Sequence, residues 1–267
     1  MAIKAIDLAT INDEVTQTLL DNEKKALQMI KSDNTLKLHE VVEEGGWCYL
    51  VTDLIEGVTL KELLEQRKLA EQEVMALFRQ ILAGSVAISR NCVIHRDLKP
   101  TNIMVSHDMK ACIIDFGYCQ IIDPRKVMKT FNVGSPSYMS PEAYLRTLYS
   151  ERSDSWSLGV ILYEMLHGKT LDEGYPIKEF LEMAKNNPEL IPQKIGSHVS
   201  SSIKEIIESS LKYLPEERTS ISNMKYLTDV FCLHKRTNSV HTARPGPMAP
   251  SLSSSHSRKE SDFISAK

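Results

Sequence analysis

His95-Arg96-Asp97-Leu98-Lys99-Pro100-Thr101-Asn102 and, a little further on, Asp115-Phe116-Gly117 are the stretches on which the reading of this chain turns. Around them lie brief apolar runs, Val93-Ile94, Ile103-Met104-Val105 and Cys112-Ile113-Ile114, divided by polar turns. Such a pattern predicts short strands whose connecting loops hold functional side chains on a rigid frame. The chemistry of the molecule is expected here.

Downstream the pattern turns helical. Residues 156–166 are apolar on almost every side and include Glu164; the run falls far short of the roughly 20 residues that cross a bilayer, so it reads as a buried core helix and no membrane insertion is expected. Residues 202–214 carry Ile203, Ile206, Ile207 and Leu211 on one face, and residues 71–89 carry Val74, Leu77, Phe78, Ile81 and Leu82, after a short helix over residues 60–66. Toward the N-terminus, residues 36–42 and 47–52 read as strands joined by the hairpin turn Glu43-Glu44-Gly45-Gly46. Residues 10–31 read as a helix with a Thr-x-x-Asp start, and its stripe of Val15, Leu19, Leu27 and Ile30 also contains Glu23. A carboxylate on a buried face requires a cation to meet it. The alternative is a tilted helix that leaves Glu23 wet.

The 267 residues, 42% apolar and 25% charged, suffice for one large core or two lobes. A net charge of −3, with basic and acidic residues interleaved, gives no case for a nucleic-acid partner. Cys48, Cys92, Cys112, Cys119 and Cys232 lie far apart, without zinc-site spacing or an even count, which points to a reducing compartment. The N-terminus lacks the apolar stretch of a signal peptide, so an intracellular location, cytoplasmic or nuclear, is expected. From His234 onward Ser, Pro, Gly, Lys and Arg dominate, and residues 234–267 read as a disordered tail.

With all its defining positions filled, the 95–102 stretch, followed by Asp115-Phe116-Gly117 and by Ser140-Pro141-Glu142 in the place of A-P-E, resembles the protein kinases; Lys99 marks the serine/threonine class. The resemblance covers residues 1–233. It implies a two-lobed α+β fold, with a small antiparallel-sheet N-lobe over residues 1–52 and a large, mainly helical C-lobe over residues 56–233. It implies transfer of the γ-phosphoryl of ATP to Ser/Thr hydroxyls of protein substrates. In that scheme Asp97 orients the hydroxyl and accepts its proton, Lys99 neutralises the γ-phosphoryl, and Asn102 and Asp115 hold Mg²⁺.

Ala2-Ile3-Lys4 matches the end of the V-A-I-K strand, and a Lys4–Glu23 pair would supply the cation and aim Lys4 at the α- and β-phosphates. A frayed terminal lysine is the other reading. By the same resemblance Thr52 is the gatekeeper, Asp53, Leu54 and Ile55 form the hinge whose backbone bonds adenine, and Ala2 and Met104 sandwich the ring. Leu27, Leu38, His95 and Phe116 match the regulatory spine, although each alone fits a generic core residue. Thr130, beside Arg125, Lys126 and Lys129, is either a phosphosite for an upstream activating kinase, its phosphate binding Arg96, or an unmodified surface threonine. Ser135 brings a hydroxyl to Asp97. Asp154 anchors the catalytic loop, and Arg218 partners Glu142.

The family sets two strands and a G-x-G-x-x-G loop ahead of V-A-I-K, and neither stands here. Those backbone donors contribute about 1.5–3 kcal/mol each to phosphate binding. The expectation is a fragment of an active kinase, an inactive short chain, or a chain completed by a partner's strands; the retained catalytic positions favour the first. The alternative function is a kinase-fold scaffold that binds partners without transferring phosphate. The tail sequences Arg236-Thr237-Asn238-Ser239 and Arg258-Lys259-Glu260-Ser261 have a spacing basophilic kinases accept, and read as solvated tail residues.

Overall fold

The computed structural model describes residues 1–122 and 128–241, the side chains of 128, 129 and 234–241 excepted. Strand β1 (Ala2–Asp7) leads to helix α1 (Glu14–Met29) and the strands β2 (Leu38–Glu44) and β3 (Trp47–Thr52). Gly45 and Gly46, at φ 58° and 82°, turn β2 into β3 through the left-handed region that a two-residue hairpin requires. β1 pairs antiparallel with the far side of β3, giving the order β1-β3-β2. The first hairpin strand begins at Leu38 rather than 36, because the Leu36 N–H bonds the Ile113 carbonyl at 2.8 Å and so belongs to the seam with the rest of the molecule.

α1 is shorter than the predicted 10–31. Asp13, not Thr10, caps it, accepting from the N–H groups of Val15 and Thr16 at 2.8 and 2.9 Å. Leu8–Thr10 instead forms a 3₁₀ turn capped by Asp7. The face carrying Leu20, Glu23, Ala26 and Leu27 is buried.

The second lobe opens with β4 (Gly57–Thr59) and α2 (Leu60–Gln66), whose Thr59 and Glu62 cap each other reciprocally. There follow α3 (Glu71–Arg90), β5 (Val93–Ile94), β6 (Ile103–Ser106), β7 (Ala111–Ile113), β8 (Gln120–Ile121), β9 (Met128–Lys129), α4 (Pro141–Arg146) and β10 (Leu148–Tyr149). Helices α5 (Glu151–His167), α6 (Ile177–Asn186), α7 (Leu190–Ile195), α8 (Ser201–Ser210) and α9 (Ile221–His241) complete it. Small sheets β4-β6-β7, β5-β8 and β9-β10 lie among the helices. α5 is buried along nearly its whole length, as its unbroken apolar run requires, and α3, α8 and α9 pack around it. One apolar core joins Leu27 and Leu50 to Phe116, Trp156 and Ile206.

α8 stops at Ser210 instead of reaching 214: Pro215 holds Leu214 extended at φ −82°, ψ 128°, which a helix cannot accommodate. α9 runs to His241, through residues 234–241 that composition assigned to the tail. A helix already nucleated on packed turns propagates into polar sequence at little further expense. Residues 242–267, with Arg258 and Ser261, lie outside the described residues.

Arg218, 1% exposed, ties α4 to the helical core. Its Nη1 and Nη2 donate to Glu142 Oε1 and Oε2 at 2.8 and 3.1 Å, and other bonds go to the carbonyls of Lys212, Tyr213 and Arg152. Burial works against the Glu142 charge, yet the Arg218 hydrogen bonds and charge outweigh it and hold the carboxyl below its ordinary value. Removing one partner strands the other. Glu142→Gln should therefore lower stability by about 3–5 kcal/mol, read as a shift in the urea unfolding curve.

Candidate active site

The site is assembled on the β6–β7 hairpin. β6 follows the 95–102 loop directly, β7 leads to Asp115, and Ile103 pairs with Ile113. One residue beyond that pair, the Ile114 N–H donates to the Asn102 carbonyl at 3.0 Å. Asn102 and Asp115 are thereby neighbours through the backbone itself.

The loop before β6 is bent. Arg96 sits at φ 67°, a conformation that costs a non-glycine residue of order 1–3 kcal/mol. The Asp154 carboxylate, buried in the first turn of α5, accepts the His95 N–H at 2.7 Å and the Arg96 N–H at 3.0 Å and so holds the bend. Burial pushes the Asp154 carboxyl up to about 7 against these two bonds. The His95 ring packs 5.3 Å from that of Phe116, between centroids, and burial pushes its imidazole down to about 4.

Within this frame Asn102 Nδ2 donates to the Asp97 carbonyl and to Asp97 Oδ2, both at 2.9 Å. Lys99 Nζ lies 2.8 Å from Asp97 Oδ2 and donates to Ser135 Oγ at 2.8 Å. Ser135 in turn donates its N–H and hydroxyl to Asp97 Oδ1 at 3.0 and 3.1 Å. Its approach depends on Gly134, at φ 106°, where an added Cβ would stand 2.6 Å from the Arg96 carbonyl. Asp97, Lys99, Asn102 and Ser135 form one hydrogen-bonded cluster.

Lys4, from β1, donates to Glu23 Oε1 and Oε2 at 2.7 and 2.9 Å, and Glu23 is 6% exposed. The wet-helix reading of Glu23 and the frayed reading of Lys4 both fail. A Cβ built on Gly117 would lie 3.2 Å from Asp115 Oδ1 and 3.9 Å from both Glu23 Oε2 and Lys4 Nζ, so this pair and Asp115 meet around one residue without a side chain. Asp115 Oδ1 itself accepts the Gly117 N–H at 3.0 Å.

Ala2 lies opposite the buried Thr52, and Met104 opposite Cys112 and Thr59. Asp53 and Ile55 are on the linker between β3 and β4; the Asp53 N–H bonds the Lys37 carbonyl at 3.1 Å. Thr130 Oγ1 is 3.5 Å from Arg96 Nη1. Arg96 also donates Nε to the Tyr118 carbonyl at 2.6 Å and lies over the rings of Phe131 and Tyr149, while its buried Nη2 has no hydrogen-bond partner among the described residues. Arg125 and Lys126 lie outside the described residues, as does the Lys129 side chain.

Two anchors went unseen in the sequence. Tyr138 donates its hydroxyl to Glu164 at 2.6 Å, and Lys61 reaches the same carboxylate at 3.1 Å. Ser137 donates to Asp172 at 2.8 Å. Together they pin the segment that carries Ser135. Glu164 stood out as a charge in an apolar run, but nothing pointed to its partners.

The fold and the clustered loops are those of a protein kinase domain, and the family model of that domain matches residues 1–228: the chain belongs to this family. It is 32% identical over 229 residues to serine/threonine-protein kinase atg1 of Dictyostelium discoideum, an alignment covering 82% of this chain and 33% of that protein. It is 34% identical to probable serine/threonine-protein kinase MARK-B of the same organism, over 77% of this chain and 29% of the relative. With the SNF1-related protein kinase catalytic subunit alpha KIN12 of Arabidopsis thaliana it shares 30% identity, over 84% of this chain and 45% of the relative. The chain thus spans less than half the length of each of these proteins.

The His95 imidazole links the site to acid stability. Its folded value, about 4, lies below the 6.5 of the free group, so the unfolded chain takes up the proton first. The contribution is complete above pH 6.5 and is lost as pH falls toward 4. Asp154, raised by burial, acts in the opposite sense over its own range, so the comparison must be with a His95 variant. Between pH 7 and 5 the parent should lose about 2 kcal/mol relative to His95→Phe, at ~1.36 kcal/mol per pH unit, in paired urea titrations.

Proposed function

We propose that the chain transfers the γ-phosphoryl group of ATP to serine or threonine hydroxyls of protein substrates. The observation that carries this reading is the hydrogen-bonded cluster of Asp97, Lys99, Asn102 and Ser135, joined through the Asn102–Ile114 backbone bond to Asp115 and thence to the Lys4–Glu23 pair. Phosphoryl transfer asks for positioning and charge neutralisation more than for covalent chemistry, and these residues supply both.

Asp97 takes the part of the base: it orients the substrate hydroxyl and receives its proton as the new phosphorus–oxygen bond forms and the bond to the β-phosphate oxygen breaks. Lys99, held at Asp97 Oδ2, offsets the charge of the transferring group. Lys4, oriented by Glu23, binds the α- and β-phosphates. The adenine lies between Ala2 and Met104, bonded by the backbone of Asp53 and Ile55.

Asn102 and Asp115 suit Mg²⁺. The Asn102 Nδ2 is spent on Asp97, which leaves its carbonyl oxygen as a hard ligand beside the Asp115 carboxylate. Mg²⁺ is commonly bound by one or two side chains together with nucleotide phosphates. When bound, the ion neutralises charge on the β- and γ-phosphates.

Thr130 is the regulatory position in this reading. An upstream kinase would place there a phosphate whose oxygens meet the Arg96 guanidinium, Nη2 included, through charge-assisted bonds. Mass spectrometry of the active protein should find Thr130 phosphorylated, and active protein unmodified at that residue would remove it from the scheme.

Labelled ATP, Mg²⁺ and a Ser/Thr peptide library test the activity. Asp97→Asn should reduce transfer about 10²–10⁴-fold, with Lys4→Met also strongly impaired. Equal background from the parent and both variants would favour the scaffold reading instead.

A further inference from the structure

The hinge residue Asp53 is gripped from the side by β2. The pairing of β2 with β3 slips between Leu38, which faces Thr52, and Glu40, which faces Val51, so His39 is the extra residue of a bulge. A bulge re-aims the side chain it carries. Here the His39 ring is turned onto the linker, with Nε2 2.6 Å from Asp53 Oδ1. Two residues earlier the Lys37 carbonyl takes the Asp53 N–H at 3.1 Å, and on the other side the Thr52 hydroxyl donates to the Asp53 carbonyl at 3.3 Å. Residue 53 is therefore held at its N–H, its carbonyl and its carboxylate at once. Its own peptide unit is the first that β3 sends toward the second lobe.

We infer that His39 is a positioning residue for nucleotide binding: through the Asp53 carboxylate it fixes the backbone of the linker against which the adenine docks. The inference rests on the kinase reading for its consequence and on the bulge for its geometry. The pair is about half exposed, at 46% and 41% of side-chain area, so its effect is modest. Because His39 touches neither the reacting phosphate nor the acceptor, the effect belongs in nucleotide affinity and not in turnover.

His39→Ala should raise KM for ATP about threefold, the scale of an exposed pair, with kcat and KM for peptide unchanged. His39→Gln, which keeps a donor at the reach of Nε2, should restore the parental KM. Asp53→Ala combined with His39→Ala should be no worse than Asp53→Ala alone. An unchanged KM in His39→Ala, a fall in kcat of equal size, or additive effects in the double variant would each overturn the assignment.

Amide hydrogen exchange on the nucleotide-free chain separates this inference from the kinase reading. The Asp53 amide should exchange faster in His39→Ala and at the parental rate in His39→Gln. Faster exchange together with a parent that transfers no phosphate would support the clamp and defeat the kinase reading. Equal exchange in all three proteins would defeat the clamp, whatever the activity.

Discussion

The Asp154 carboxylate is the fixed point from which the site is built. Buried at the start of α5, it captures the N–H groups of His95 and Arg96. Each such bond contributes about 0.5–1.5 kcal/mol, and about 1.5–3 when the carboxyl is ionised, so the two together offset the 1–3 kcal/mol that a left-handed Arg96 requires. Without that capture the 95–102 stretch would relax toward extended backbone continuing β5. With it, Asp97 is carried back to within reach of Asn102, and the Arg96 side chain is sent to the opposite side, toward Tyr118 and Thr130. One acid in an apolar helix sets both the bend of the 95–102 loop and the side on which Arg96 meets Tyr118 and Thr130.

Besides the shared apolar core, specific hydrogen bonds join the two lobes. Leu36 and Asn34 bond the backbone of Ile113 and Ala111, and Asn22 of α1 reaches Gln120 at 3.4 Å. The Lys4–Glu23 pair adds little to stability, since Lys4 is half exposed. Its significance is positional: a nearly buried Glu23 holds α1 where a cation can meet it, and that cation lies beside Gly117. α1 and the segment after β7 thus meet at two places, Glu23 beside Gly117 and Asn22 beside Gln120.

Part of this was legible in the sequence. The short strands around the loop 95–102 and Asp115-Phe116-Gly117 marked where functional side chains would sit, the resemblance to the protein kinases supplied their expected roles, and Glu23 announced itself as a charge on an apolar stripe. What escaped had physical reasons. Thr10 and Asp13 are both good caps three residues apart, and local sequence does not choose between them; backbone geometry selected Asp13. The extension of α9 to His241 depends on packing of earlier turns, to which a compositional rule is blind. The partners of Glu164, Lys61 and Tyr138, lie 103 and 26 residues away, beyond the reach of any periodicity.

The backbone bond between Ile114 and Asn102 bears on how such a domain can change over time. It sets the spacing of the two groups assigned to the metal by peptide geometry alone, independent of which side chains the hairpin carries. Substitutions in β6 and β7 that keep the ladder paired leave that distance intact. The hairpin can drift in composition, adapting to new surroundings, while Asn102 and Asp115 keep their spacing along the backbone.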